Sequence, residues 1–216
     1  MAKVGRRAGT GEGAKRDEIR QRIIDAAFVT LRDRGYADAS ARAIAKAGGF
    51  DQAQIFYYFG SVNNLLVAAL ESSSLRQLAA YRETVRGVTS ASEILDVLHT
   101  RLADDLASGH VKVLAELIAA GTSDSALRDM VRELFEPWMA LSVETVTGVL
   151  AASGLDAMLP ADQVAFAVVC LFLGVQQFVT LTGDSQRALD MVDAGRSVAS
   201  MFDAMFATIR EVDRDD

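Results

Sequence analysis

Proline occurs only twice in 216 residues, at Pro137 and Pro160, and apolar residues recur three and four apart through most of the chain. Strict alternation of apolar and polar residues, the mark of a half-buried strand, is nearly absent. The sixteen glycines fall mostly where a helical pattern stops. A chain so poor in breakers inside its periodic stretches folds as a stack of helices, and the predicted class is all-α.

The spacing predicts a first helix over residues 16–34, with Ile24, Ala27, Phe28 and Leu31 on one buried stripe and Gly35 as a left-handed stop. Ser40 is placed to cap a short helix over 41–47 whose Ile44 points inward. Gly48-Gly49 makes a turn, and Asp51 caps a third helix over 52–59, with Gln54 three positions on as a capping box would have it. Gly60-Ser61 breaks the pattern before a long helix from Val62 to about Arg86. Further helices are expected over 92–107, 111–120, 125–153, 161–181 and 185–212, with Pro137 kinking the third of these. Residues 1–14 contain Gly5, Gly9, Gly11 and Gly13 with Lys3, Arg6 and Arg7, and read as a flexible basic arm.

Half of the residues are apolar and 24% charged, enough for a packed core and too apolar for disorder. One cysteine, Cys170, excludes a disulfide scaffold, and no cysteine–histidine cluster has zinc spacing, so neither metal nor cofactor is expected. The longest strictly apolar run, residues 164–173, is shorter than a bilayer span, and no secretory core follows the basic start. The expectation is a soluble protein of the reducing cytoplasm. Charge is divided unevenly: residues 1–60 hold eleven Lys/Arg against seven Asp/Glu, a net of +4, and residues 61–216 hold eleven against twenty-two, a net of −11. A basic head suits a polyanion, and an acidic body limits the face on which one docks.

Two short helices joined by a glycine turn and stacked on a longer one form a helix-turn-helix candidate. Five of the chain's fifteen aromatics, Phe50, Phe56, Tyr57, Tyr58 and Phe59, fall within the ten residues 50–59. A two-turn helix has one buried face and cannot bury four consecutive aromatics. Tyr57 or Tyr58 must therefore face outward, where a hydroxyl can donate to phosphate, while Phe56 and Phe59 are expected in the core.

Between Ile19 and Leu66 the sequence resembles the amino-terminal domain of the TetR family of bacterial transcriptional regulators. The resemblance lies in Ile-x-x-Ala-Ala-x-x-x-Leu, Arg-Gly-Tyr, Ile-Ala-x-x-Gly-Gly-Phe and Ile-Phe-Tyr-Tyr-Phe-Gly-Ser-x-x-x-Leu-Leu, in that order and spacing. It implies a homodimer that binds palindromic operator DNA, each subunit placing one short recognition helix in the major groove. By position, Gln52, Ala53, Gln54 and Tyr57 take the groove-facing part of that helix, and Ser40, Arg42, Lys46 and Tyr58 lie where the family contacts phosphates or flanking edges. Glutamine pairs with adenine, and arginine and lysine neutralise phosphate. Gln54 has a second reading as the capping-box partner of Asp51, and Arg42 and Lys46 as solvated charges. Two positions depart from the family. Phe56 stands where tyrosine is common and Val62 where lysine is common, so phosphate contact there falls to the amides at the start of the long helix with Ser61 and Asn63, and to Lys15 and Arg16 of the basic segment.

The implied architecture is a basic arm (1–14), a three-helix helix-turn-helix DNA-binding domain (15–61) and a helical ligand-binding and dimerisation domain (62–216). In that body Met191, Val198, Phe202, Met205 and Ile209 share a stripe of the last helix, and the helix over 161–181 is apolar nearly all round. Together they fit an intersubunit four-helix bundle of the kind TetR-like proteins use. Such bodies enclose a pocket for a small-molecule effector that releases DNA. The candidates here are Leu114, Leu117, Phe135, Trp138, Met139, Phe172, Gln176 and Gln177, which core packing would explain equally. His99 and His110 read as surface or core residues.

No phosphate loop, nucleophile elbow, HExxH pair or dinucleotide fingerprint is present, and Asp104 and Asp105 diverge by about 100° on a helix, so no catalytic residue is assigned. A non-enzymatic alternative to the repressor is a helical protein-interaction module whose head no longer reads DNA, a reading that Val62 and Phe56 favour.

Overall fold

A computed structural model describes the backbone of residues 9–214 and the side chains of residues 13–205. Among the described residues there are ten helices and no strand: α1 (Gly9–Arg34), α2 (Ala41–Gly48), α3 (Ala53–Phe59), α4 (Val62–Val85), α5 (Ala91–Ser108), α6 (His110–Gly121), α7 (Ser125–Glu133), α8 (Glu136–Ser153), α9 (Ala161–Thr182) and α10 (Ser185–Arg214).

Most boundaries fall within one or two residues of the sequence reading, and three differences have a local cause. First, α1 starts at Gly9, so residues 9–14 are helical rather than part of a loose arm; residues 1–8 lie outside the described residues. Extending an existing helix needs no new nucleus, and each glycine in it costs only about 1 kcal/mol against alanine. Second, Pro137 divides the 125–153 stretch instead of kinking it. Helix α7 ends at Glu133, and α8 begins with the proline in its first turn, where a missing N–H breaks no helical bond. Third, α5 starts at Ala91 because Ser90 and Glu93 form a reciprocal capping box.

The head packs Ile23, Ile24 and Leu31 of α1, Ile44 of α2, and Ile55 and Phe59 of α3 into one core. That core does not stop where the short helices end. Leu65, Leu66 and Leu70 of α4, Val113 and Leu117 of α6, and Leu127 and Val131 of α7 belong to the same cluster. Each fully buried aliphatic side chain contributes roughly 1.5–3 kcal/mol, so the head is welded to three helices of the body. Gly35 makes one weld possible. Its φ of +77° turns the chain after α1, and a Cβ there would meet Glu116 Oε2 at 3.0 Å.

The body contributes the smaller clusters. Helices α5 and α10 are clasped by Asp203, whose carboxylate accepts the Ala91 and Ser92 amides at 3.0 Å each, and by the Arg196–Asp96 pair at 2.7 Å. Val175 and Val179 of α9 pack with Ala188 and Val192 of α10 and with Leu102 of α5. Val146 and Leu150 of α8 pack with Ala165 of α9.

Candidate nucleic-acid interface and effector cavity

The Gly49 turn sets the angle between α2 and α3. It adopts φ +65°, and its amide closes α2 by donating to the Ala45 carbonyl. With Ile44 and Ile55 fully buried beneath, the outer face presents Ser40, Arg42, Lys46, Gln52, Ala53 and Tyr57 to solvent. Tyr57 is 72% exposed and meets Tyr58 edge-on, ring centroids 5.0 Å apart. Ser40 is occupied as the α2 cap, its Oγ accepting from the Ala43 amide at 3.3 Å. Asp51 Oδ1 accepts the Ala53 amide at 2.7 Å, but Gln54 does not complete a capping box, and its Oε1 is buried without a hydrogen-bond partner.

Phe56 is a correction to the expected core. It is 51% exposed, because the buried side of so short a helix is filled by Ile55 and Phe59. Lys15 and Arg16 are exposed on α1. Two cations that the sequence reading passed over stand with them: Arg20 lies 5.1 Å over the Phe59 ring and Arg22 5.9 Å over Phe50, while Arg16 approaches Tyr58 at 6.0 Å. These contacts, worth about 0.5–1 kcal/mol each at exposed sites, lay the basic face of α1 along the aromatic run that follows α2 and forms α3.

Asn63 is not presented as a DNA contact. Its Oδ1 accepts from the Tyr36 hydroxyl and its Nδ2 donates to Asp124 Oδ2, both at 3.0 Å. Asp124 Oδ1 caps α7 by accepting the Leu127 amide at 3.0 Å, and the Tyr36 amide donates to Glu116 Oε2 of α6 at 2.7 Å. A planar amide at the first turn of α4 thus joins the head to the body, as its neighbours rather than its residue type dictate.

The body holds a cavity of ≈ 990 Å³, its open mouth included, between α4, α5, α6, α8 and α9. Of the eight residues expected there, Leu114, Phe135, Trp138, Phe172 and Gln176 line it. Leu117, Met139 and Gln177 do not. Leu117 is fully buried in the head core, and Met139 and Gln177 are each turned about 100° from a lining neighbour. Sequence reasoning missed the polar floor. Asp105, 2% exposed, accepts from the Tyr81 hydroxyl at 3.0 Å through Oδ2, and its Oδ1 has no hydrogen-bond partner. Burial pushes its carboxyl up to about 6 and the phenol of Tyr81 well above its ordinary value. His110 shares a 2.9 Å hydrogen bond with the Ser73 hydroxyl, and burial lowers its imidazole to about 4, leaving it neutral near pH 7. Among the described residues no group of three or more His, Cys, Asp or Glu is placed to hold a metal.

A third feature is apolar. Met191, Val198, Phe202 and Met205 are all 45–54% exposed, and with Ala194 and Met201 they make a stripe at three- and four-residue spacing along α10. Ile209 lies outside the described side chains. Helix α9 carries a matching exposed stripe through Ala167, Leu171, Gly174, Phe178 and Leu181. The strictly apolar run understated α9. Over its 22 residues it is long and apolar enough to cross a membrane, by length and composition only, and only 22% of its most apolar window is buried within the chain.

The family model describing bacterial regulatory proteins of the tetR family matches residues 23–69. An uncharacterised HTH-type transcriptional regulator of Mycobacterium tuberculosis is 27% identical over 126 residues, a match covering 58% of this chain and 65% of that protein's length. Among solved structures, the fatty acid degradation regulator FadR of Bacillus halodurans superposes with a TM-score of 0.71 at 20% identity, covering 83% of this chain and 96% of its own. FadR of Bacillus subtilis in complex with stearoyl-CoA gives 0.68 at 15% identity with the same coverage, 83% and 96%. At these identities the structural likenesses show the fold.

Proposed function

This chain belongs to the TetR family of bacterial transcriptional regulators, and from that premise we propose that it is a repressor that binds palindromic operator DNA as a homodimer and is released by a small molecule. The observation that carries the DNA reading is the solvent face of α2–α3. Arg42, Lys46, Gln52 and Tyr57 stand exposed on one unit whose other side is sealed by Ile44, Ile55 and Phe59. Arg42 and Lys46 neutralise phosphate, the hydroxyls of Tyr57 and Tyr58 donate to it, and Gln52 and Ala53 meet base edges, while the buried Oε1 of Gln54 leaves that residue at the margin of the reading face. Lys15 and Arg16 of α1 extend the basic face, and such a regulator works in the cytoplasm with the chromosome.

The exposed stripes of α9 and α10 support the dimer. Two such helices per subunit make a four-helix bundle, and a face this apolar is stable in water only when covered. The cavity supports a ligand: its wall is mostly apolar with a few polar groups, as small-molecule sites are, and the Bacillus subtilis protein of this fold was solved in complex with stearoyl-CoA, a ligand with a long acyl chain. Release is a population shift in which the ligand prefers a spacing of the two heads that DNA rejects, with α4 as the lever.

Selection of the purified protein on a random duplex library at two salt concentrations tests the reading. A palindrome enriched at low salt and weakened steeply at high salt is the expected result. No enrichment at low salt from a folded dimer overturns the DNA reading and leaves the helical interaction module.

A further inference from the structure

The floor of the cavity is electrically unbalanced. Asp105 is the carboxylate buried there, its Oδ1 lacks any hydrogen-bond partner, and its one donor is a neutral phenol. Arg101, one turn back on its own helix, is paired with Asp104 through Nη2 at 2.6 Å, keeps a buried Nε without a hydrogen-bond partner, and acts on Asp105 only through space. His110, across the floor, is held by Ser73 and stays neutral near pH 7. Asp104 adds negative charge nearby. A buried anion left with an unmet acceptor is costly, and a donor arriving with positive charge removes that cost.

The walls beside this carboxylate are aromatic. The Tyr81 ring meets Trp138 edge-on at 5.1 Å between centroids and Phe172 at 6.3 Å, and Phe135 completes the side. Ring faces attract cations, more strongly when water is excluded, and the same rings give apolar contact to whatever carries the charge. A carboxylate ligand gains neither term and is repelled by Asp105. An uncharged alcohol gains one hydrogen bond.

We propose that the cavity selects an amphipathic amine in its ammonium form, its N–H donating to Asp105 Oδ1 and its apolar body lying among Tyr81, Trp138 and Phe172. The proposal rests on reading the cavity as the effector site. It names the ligand class that site takes and the residue that selects it.

Trp138 is the chain's one tryptophan, so its emission reports the cavity directly. The test is titration of the full-length protein with 4-phenylbutylamine, 4-phenylbutanol and 4-phenylbutyrate, three molecules that share one body and differ in the head group. The amine should bind at least about 10-fold more tightly than the carboxylate, with the alcohol between them. In Asp105→Asn, which keeps an acceptor for Tyr81 and removes the charge, that preference should fall to within about 2-fold. A carboxylate that binds as well as the amine to the wild-type protein overturns the proposal without recourse to a variant, and leaves the cavity as an effector site of another class. A preference that survives in folded Asp105→Asn also overturns it, by showing that the selection lies elsewhere. If none of the three probes moves Trp138 emission, the effector-site reading fails and the proposal with it.

Discussion

Asp105→Asn makes a prediction about stability that stands whatever the ligand is. The carboxyl has an ordinary value of 3.8 and is raised to about 6 by burial in the folded chain, the Tyr81 hydroxyl and Arg101 opposing the rise and Asp104 adding to it. An acid whose folded value is raised weakens the fold when it ionises. The cost is fully present above about pH 6 and absent below about 4, where both states hold the proton. The rise from 3.8 to about 6, at about 1.36 kcal/mol for each tenfold change in acidity, makes it roughly 3 kcal/mol. His110 runs the other way. Its imidazole falls from 6.5 to about 4, through burial and then Arg76, so stability is lost as pH drops through that interval and the unfolded chain takes the proton first. In the wild-type protein the two groups offset one another between pH 4 and 6, and in Asp105→Asn the histidine acts alone. Urea unfolding of both proteins at pH 4, 5 and 7, followed by circular dichroism at one protomer concentration, isolates the carboxyl in the difference. The new amide adds a constant offset, and only the carboxyl adds a pH-dependent part. The stability of Asp105→Asn relative to wild type should be roughly 3 kcal/mol more favourable at pH 7 than at pH 4. A difference that is flat with pH, or that grows toward acid, refutes the burial argument.

Lys46→Ala should reduce the slope of log affinity for operator DNA against log salt by about 1, and Tyr57→Ala should weaken binding by about 10-fold or more, with helical content and dimer unchanged in both. Filter binding across a salt series reads both, and two normal binders would move the recognition face elsewhere. Phe202→Asp places a charge in the exposed stripe of α10 and should give monomers in sedimentation, so a persistent dimer would show that the stripe is not the interface. Tyr36→Phe removes the donor to Asn63 and should cost about 1 kcal/mol of stability while loosening ligand-induced release more than DNA affinity itself; an unaltered ligand response in a DNA-competent protein would exclude this joint from the coupling.

The head was legible because its signals are local. Gly48-Gly49, the Ser40 cap and the aromatic run each act over a few residues, and a two-turn helix leaves little freedom in which side faces inward. Even there the choice between Phe56 and its neighbours was settled by Ile55, which fills the core beside Phe59 and turns Phe56 out. Residues 9–14 read as an arm from their glycines, yet they continue a helix that α1 had already nucleated. The cavity was legible in part. Phe135, Trp138, Phe172 and Gln176 line it, whereas Leu117, with the same composition and the same helix as Leu114, faces the head. Asp105 was within reach of the sequence. Leu98, Leu102 and Asp105 stand at i, i+4 and i+7, a register that points the carboxylate inward. Asp104, about 100° away on the same helix, stays exposed, so of the two adjacent carboxylates only Asp105 is buried.

Asn63 shows the limit of positional reasoning and supplies a second route for the coupling. The long helix α4 is the covalent connection between body and head, but α6 touches both as well. Its His110 and Leu114 face the cavity, while Val113 and Leu117 sit in the head core and Glu116 accepts the Tyr36 amide at 2.7 Å. A ligand that shifts α6 must either carry the head with it or break that charged hydrogen bond, at about 1.5–3 kcal/mol. Breaking it shifts a two-state balance by roughly 10- to 100-fold, within what a small ligand's differential affinity supplies. The Asn63–Asp124 bond ties the same first turn of α4 to the cap of α7, so lever and wall are joined at one point. Cavity and head are therefore joined across α6, through α1 and the Tyr36 amide, as well as along α4.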